Sequence, residues 1–335
     1  MNDVYDADDA FESERVWPPG SQPDPDLEPD LLIDRAVALG RGLDADDIKR
    51  RLARSEWLIV RRGVYARTSD VADLNPLQFH RLRIEATARA LGDDCVVSHL
   101  SAACLHGLEL IRPPGRMVQV TNPVARSGHR RRALQTYCAK VDLDEITEVD
   151  GIRVTTVART VVDIARTGGF EQGVVAADHA LHSGWVTQDE LAASAVRASR
   201  RSGIRTAHQV IAFAEPKTES VGESRSRVLM AREGLPAPEA QFPLLDRSGI
   251  LFARNDFRWH EFNTVGEFDG AEKYGRKLQP GQRPGDVVFQ EKLREDRIRE
   301  YGFNVVRWTW DELDDPHALA AKIRRALARG RSLAS

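Results

Sequence analysis

The sequence predicts a mixed α/β protein of several domains, and three observations carry that prediction. Helical and strand-like periodicities alternate along most of the 335 residues. Two helical stretches followed by a basic hairpin stand near the start. The chain closes on the order helix, three strands, helix, strand, helix, which suits an α/β domain with a small mixed sheet. A chain of this length holds two or three domains and buries a sizeable core.

Charge is unevenly spread. Residues 1–31 contain ten Asp/Glu and one Arg, a net of −9, whereas the rest holds 47 basic and 41 acidic residues, a net of +6. Residues 1–29 are therefore expected to be an acidic, disordered leader rich in Pro and Asp. The alternative is a nucleic-acid mimic that covers a basic surface. Hydrophobic residues make up 41% and charged residues 30%, as in soluble globular proteins. No apolar run approaches a membrane span and no secretory signal is visible, so the expected location is cytoplasmic, with no membrane partner. Cys95, Cys104 and Cys138 show no CxxC spacing and read as reduced core thiols.

Residues 30–70 are read as a winged helix-turn-helix. In "LLIDRAVALGRGLDADDIKRRLARSEWLIVRRGVYART", Leu32, Ala36 and Leu39 recur at helical spacing. Asp44 suits the cap of a second helix with Ile48, Leu52 and Ala53 turned inward. Lys49, Arg50, Arg51 and Arg54 are then available outside, and "EWLIV" and "VYAR" flank an Arg61-Arg62-Gly63 turn. A second helix in the major groove with a wing on the backbone would make these six basic residues the DNA contacts.

Residues 75–214 read as an α+β middle domain. "LQFHRLRIEATARALG" and "SHLSAACLHGL" are helical, the second with Ser98 as cap, while "RMVQVTN" and "ALQTYCA" alternate like strands. Asp150-Gly151 marks a hairpin that runs into a helix, and three helical stretches follow near 170–183, 187–199 and 205–213. His179 and His182 lie one turn apart, but no carboxylate or Cys accompanies them at ligand spacing, and they read as ordinary helix residues, as do His99 and His106. The polar, Gly- and Pro-punctuated "EPKTESVG" (215–222) marks the expected boundary.

Residues 220–335 carry the candidate chemistry. Asp256 lies in "RNDFRW", and Glu267 and Asp269 end the next strand in "VGEFDG". Adjacent strands bring such carboxylates together, and their mutual repulsion would be relieved by Mg²⁺ or Mn²⁺, which takes oxygen ligands and activates water. Lys273 and Lys292 are the candidates for an ammonium beside that water.

This final segment resembles the PD-(D/E)xK endonuclease-type domains of the Vsr-like group, carried by Glu223, Asp256, "EFDG", "EKLREDRIREYG" and "NVVRWTW". The resemblance implies a restriction-endonuclease-like α/β fold and metal-dependent hydrolysis of DNA phosphodiesters. It implies Asp256 and Glu267 as metal ligands and Glu223 as a supporting carboxylate; Asp269, a further candidate ligand from its place on the strand, departs from the pattern by standing where a lysine usually does. The N-terminal 200 or so residues, the acidic leader apart, are similar to antitoxins of the AbiEi family, on "WLIVRRGVYAR", "SHLSAACLHGL" and "VDGIRVTTVARTVVDIA". That resemblance implies a DNA-binding domain that represses its own operon, an antitoxin domain, and a nucleotidyltransferase toxin encoded nearby. The sequence thus points first to a DNA-binding, Mg²⁺-dependent nuclease of phage defence or repair. The alternative is an AbiEi-type antitoxin and autorepressor of a type IV toxin–antitoxin operon whose nuclease-like domain is inactive.

Overall fold

In a computed structural model, residues 31–91, 95–131, 133–270 and 284–333 are described, and the expected leader (1–29) and Lys273 lie outside them. The chain divides into two compact units, one ending at Thr155 and one beginning at Thr156.

The first unit begins with β1 (Ile33–Asp34), α1 (Arg35–Gly40) and α2 (Ala45–Ala53). Asp44 caps α2 as expected: its carboxylate accepts the Asp47 N–H, and Asp47 returns the bond to the Asp44 N–H. Such a cap stabilises a helix end by about 1 kcal/mol. The apolar face of α1 differs from the expected one. Leu32 is buried but lies just before β1, outside the helix; Ala38 is the buried helical residue, and Ala36 and Leu39 are exposed. On α2 Ile48 is buried as expected, while Ala53 faces solvent. β2 (Trp57–Arg61) and β3 (Val64–Arg67) form the expected hairpin, turning through Arg62-Gly63, where Gly63 takes a φ of +82°. That left-handed backbone is cheap for glycine alone. The sheet order is β1-β3-β2.

After the turn-like α3 (Thr68–Val71) comes α4 (Pro76–Ala88), capped reciprocally by Asn75 and Gln78. Leu82 and Ala86 of α4 pack with Val60, Val64 and Val71, whereas Ile84 packs with Val97, Leu105 and Val118. The second sheet is built from β4 (Val96–Val97), then, after α5 (His99–His106), β5 (Val118–Thr121), β6 (His129–Arg131), β7 (Leu134–Tyr137), β8 (Ile146–Val149) and β9 (Ile152–Thr155). Its order is β6-β7-β5-β4-β9-β8. Asp150 (φ +48°) and Gly151 (φ +74°) make the expected tight turn between β8 and β9. Ser98 precedes α5 but makes no side-chain cap; its hydroxyl bonds the His99 ring and accepts from Thr121. The short strands β4 and β6 were not foreseen, because two or three residues leave no periodicity to read.

The second unit opens with four helices, α6 (Val157–Gly168), α7 (Phe170–His182), α8 (Gln188–Arg197) and α9 (Ile204–Phe213). A buried ion pair, Arg159–Asp163, lies along α6, and Arg166 joins it at 3.1 Å. The sheet portion follows: α10 (Val221–Arg232), β10 (Glu239–Leu245), β11 (Leu251–Trp259), β12 (Thr264–Asp269), α11 (Pro284–Glu300), β13 (Asn304–Thr309), α12 (Trp310–Leu313) and α13 (Pro316–Leu333). Strands run in the order β10-β11-β12-β13, antiparallel until β13, which is parallel to β12. One face packs Phe257, Phe268, Trp308 and Ile323; the other packs Ala253, Val265 and Ile298. This is the element order the sequence predicts.

The boundary between the two units does not fall at 215–222. Asp178 of α7 accepts bonds from the Glu215 N–H, the Ser224 hydroxyl and Arg227, and Glu171 pairs with Arg225 and Arg232, so α7 is fastened to α10. A linker read from Gly and Pro punctuation says nothing of the side chains that bridge it.

Candidate functional site

The basic helix and hairpin are assembled as the sequence expected, but their charges are partly neutralised. Lys49 pairs with Asp46 at 3.0 Å, Arg50 with Asp47, and Arg54 with Glu56 at 3.8 Å. Arg51 lies over the Trp57 ring, 5.1 Å from its centroid, an attraction between cation and ring quadrupole. Arg61 and Arg62 stand at the hairpin tip and make no ion pair with a described residue. Exposed pairs of this kind contribute little to stability, so phosphates can replace the carboxylates at small cost. Of the six basic residues, Arg61 and Arg62 are thus the two with neither a described carboxylate nor a described ring partner.

The carboxylates of the second unit are distributed differently from the expected cluster. Where β11 and β12 stop pairing after Phe257↔Gly266, the Asp256 carboxylate accepts the Phe268 N–H at 2.7 Å. Asp256 thereby takes a bond that the ladder no longer supplies. Glu267 is buried, and both its oxygens are engaged: Oε1 accepts from Asn255 at 2.6 Å and from Arg294, and Oε2 faces Arg307 at 2.7 Å. Arg307 also lies 3.9 Å from Asp269 and 3.3 Å from Glu295. Glu223 accepts from Ser220, the Glu219 N–H and Gln241, and so closes the start of α10. Lys292 is exposed on α11.

Divalent-cation ligation needs several carboxylate oxygens turned to one point. Among the described residues no group of three or more His, Cys, Asp or Glu side chains is so placed. Two guanidinium groups already neutralise Glu267, so the described residues suit a guanidinium–carboxylate cluster and do not by themselves fit Mg²⁺ or Mn²⁺. Arg294 and Arg307 are partners that the sequence did not announce. They belong to "EKLREDRIREYG" and "NVVRWTW", where lysine alone was the expected companion of the acids.

Residues 96–213 match the AbiEi antitoxin C-terminal domain. Two curated relatives, the uncharacterized proteins MT2308 and Rv2248 of Mycobacterium tuberculosis, are each 29% identical over 184 residues. That span is 55% of this chain and 65% of theirs, so the chain covers under two thirds of either relative. Among solved structures, the RV2827C protein of Mycobacterium tuberculosis is similar over 54% of this chain and 71% of its own, at 14% identity and a TM-score of 0.37. A likeness that distant carries no argument about this fold.

The AbiEi-matching span begins at β4 and ends with α9, so it crosses the division at Thr155. Within it, "SHLSAACLHGL" becomes α5, whose Ser101 hydroxyl bonds both the His80 ring and the Gln119 N–H. Burial holds His80 neutral, at a pKa of about 4. "TTVARTVVDIA" becomes the end of β9 and α6, with Thr156 capping the helix and Arg159 spent on Asp163. His179 is likewise driven down to about 4 by burial, then by His182, and packs edge-on against Trp185. These AbiEi-type motifs therefore build core and turns. Among the described residues no helix is long and apolar enough to cross a membrane.

Proposed function

We propose that this protein is a DNA-binding regulator of the AbiEi antitoxin type. Residues 31–67 form its operator-binding winged helix, and residues 96–213 form its antitoxin domain. The observation that carries the reading is the match of residues 96–213 to the AbiEi antitoxin C-terminal domain. The order of two helices and a hairpin tipped by Arg61 and Arg62 supports the DNA-binding part. In this reading α2 enters the major groove of the promoter of its own operon, the Arg61-Arg62 tip grips the flanking backbone, and transcription is repressed. The partner is a nucleotidyltransferase toxin encoded beside it, in a type IV system.

Purified protein is expected to retard a duplex carrying its own upstream region. Arg61→Gln with Arg62→Gln should weaken that binding roughly tenfold and flatten the salt dependence by about 2, one for each phosphate no longer gripped. Unchanged affinity in the double variant would remove the wing from the interface. Rescue of cells expressing the neighbouring nucleotidyltransferase tests the antitoxin half.

A second reading, a metal-dependent DNA hydrolase, rests on the α–β–β–β–α–β order of residues 221–309 with Glu267 and Asp269 at the end of β12. The guanidinium partners of Glu267 weigh against it. The regulator reading expects supercoiled plasmid to stay intact with Mg²⁺ or Mn²⁺. Cleavage that Glu267→Gln abolishes would instead establish the hydrolase.

A further inference from the structure

From Leu110 to Val141 the chain contains six Arg, one Lys and one His, and no Asp or Glu. A run this long without a single acid is unusual in a chain where 51 residues are acidic. The structure places most of these bases at one margin of the second sheet. β6 is an edge strand, and all three of its residues, His129, Arg130 and Arg131, are exposed. Arg126, exposed in the loop before it, extends the line, and Arg131 lies opposite Leu134, at the level where β5 begins with Val118. Arg116 therefore joins the same end. The Arg130 Nε contact to the Met117 sulfur at 2.9 Å fixes that side chain without neutralising it. Arg126 and Arg131 make no ion pair with a described residue, in contrast to Lys49, Arg50 and Arg54 of the helix-and-hairpin segment.

One or two charges suffice to keep an edge strand from pairing with another chain. This margin carries more than that: Arg126, Arg130 and Arg131 fall within six residues. At ~3.3 Å per residue the stretch from Arg126 to Arg131 reaches up to about 17 Å, the axial rise of about five base pairs of duplex. We infer that the β6 margin is a second duplex-DNA contact, made by Arg126, Arg130 and Arg131 to backbone phosphates. It is distinct from the Arg61-Arg62 tip and lies in the antitoxin-type domain. The inference rests on the DNA-binding reading above and extends it: α4 packs into the cores of both sheets, so the two surfaces are held on one body. The contact reads phosphate, not base, so it adds affinity without sequence preference.

The test uses the full chain and two duplexes of equal length, one carrying its own upstream region and one unrelated. In the first variant Arg126, Arg130 and Arg131 are each replaced by Gln. A charge-matched variant replaces Arg200, Arg247 and Arg325, which are exposed elsewhere. The β6-margin variant should lose about tenfold or more in affinity for both duplexes and lower the slope of log K against log salt by about 2 to 3. The charge-matched variant should keep the wild-type slope, and both should melt within about 2 °C of wild type. Equal behaviour of the two variants overturns the inference, and if Arg61→Gln with Arg62→Gln still weakens binding, the DNA-binding reading survives alone. A loss seen with single-stranded RNA but not with duplex overturns the duplex assignment. Failure of wild type to bind any duplex overturns both.

Discussion

Glu267→Ala is expected to destabilise the second unit by about 3–5 kcal/mol, the usual cost of stranding buried or half-buried charges. Glu267 sits at the meeting point of β11, α11 and β13: Asn255, Arg294 and Arg307 all donate to it or face it. Removing it leaves two guanidinium groups without their shared anion and the Asn255 amide without its acceptor. Asn255 is fully buried and its Oδ1 already has no hydrogen-bond partner, so no spare bond offsets the loss. Urea denaturation should show the midpoint falling with little change in slope. Glu267→Gln keeps an acceptor and should lose less, about 1–2 kcal/mol, since it forfeits charge but not the bond to Asn255. Mg²⁺ should leave the melting temperature of both proteins unchanged. A Mg²⁺-dependent rise in wild type that Glu267→Gln removes would turn Glu267 from the centre of an arginine cluster into a metal ligand.

The second large effect concerns Asp178. Burial pushes its carboxyl up from 3.8 to about 6, against the opposing pull of Arg227 and of the bonds from Glu215 and Ser224. A pKa raised in the folded state means that the folded state binds the proton more tightly than the unfolded chain does. The associated stability is fully present below about pH 3.8, declines as pH rises, and is gone above about pH 6. The change amounts to about 3 kcal/mol at 1.36 kcal/mol per pH unit. Asp178→Asn removes the titration. Stability curves of variant and wild type across this window should therefore diverge with rising pH, by up to about 3 kcal/mol in favour of the variant. Parallel curves would mean that the carboxylate is better solvated than its burial implies.

Much of this architecture was legible because its signals are local. Asp44 sits where a cap belongs, Asp150-Gly151 supplies both positive φ angles of a tight turn, and the helices after Val157 have clear periodicity. Helix α1 misled because the apolar residues of its pattern straddle a two-residue strand: Leu32 reads as helical but precedes that strand. The carboxylate site was half legible. Spacing along β12 places Glu267 and Asp269 together, but their partners come from residues 294 and 307, and the identity of a partner across a sheet is not written in local spacing. Asp256 carried the same hidden choice, since its carboxylate turns to a backbone N–H of the neighbouring strand. The β6 margin was missed for the opposite reason. Three exposed residues make no pattern, and only the absence of acids over 110–141 announces it.

Helix α4 has a mechanical consequence. Its Leu82 and Ala86 belong to the core beneath the β2–β3 hairpin, and its Ile84 to the core of the second sheet. Neither core closes without it. A fragment ending near residue 70 would open Val60 and Val64 to water, and a fragment beginning after Ala88 would do the same to Val97 and Val118. The two sheets of the first unit are thus one cooperative block, whose amides should exchange through a single shared opening. The break that the sequence suggests between residues 70 and 75 is therefore not a border in stability.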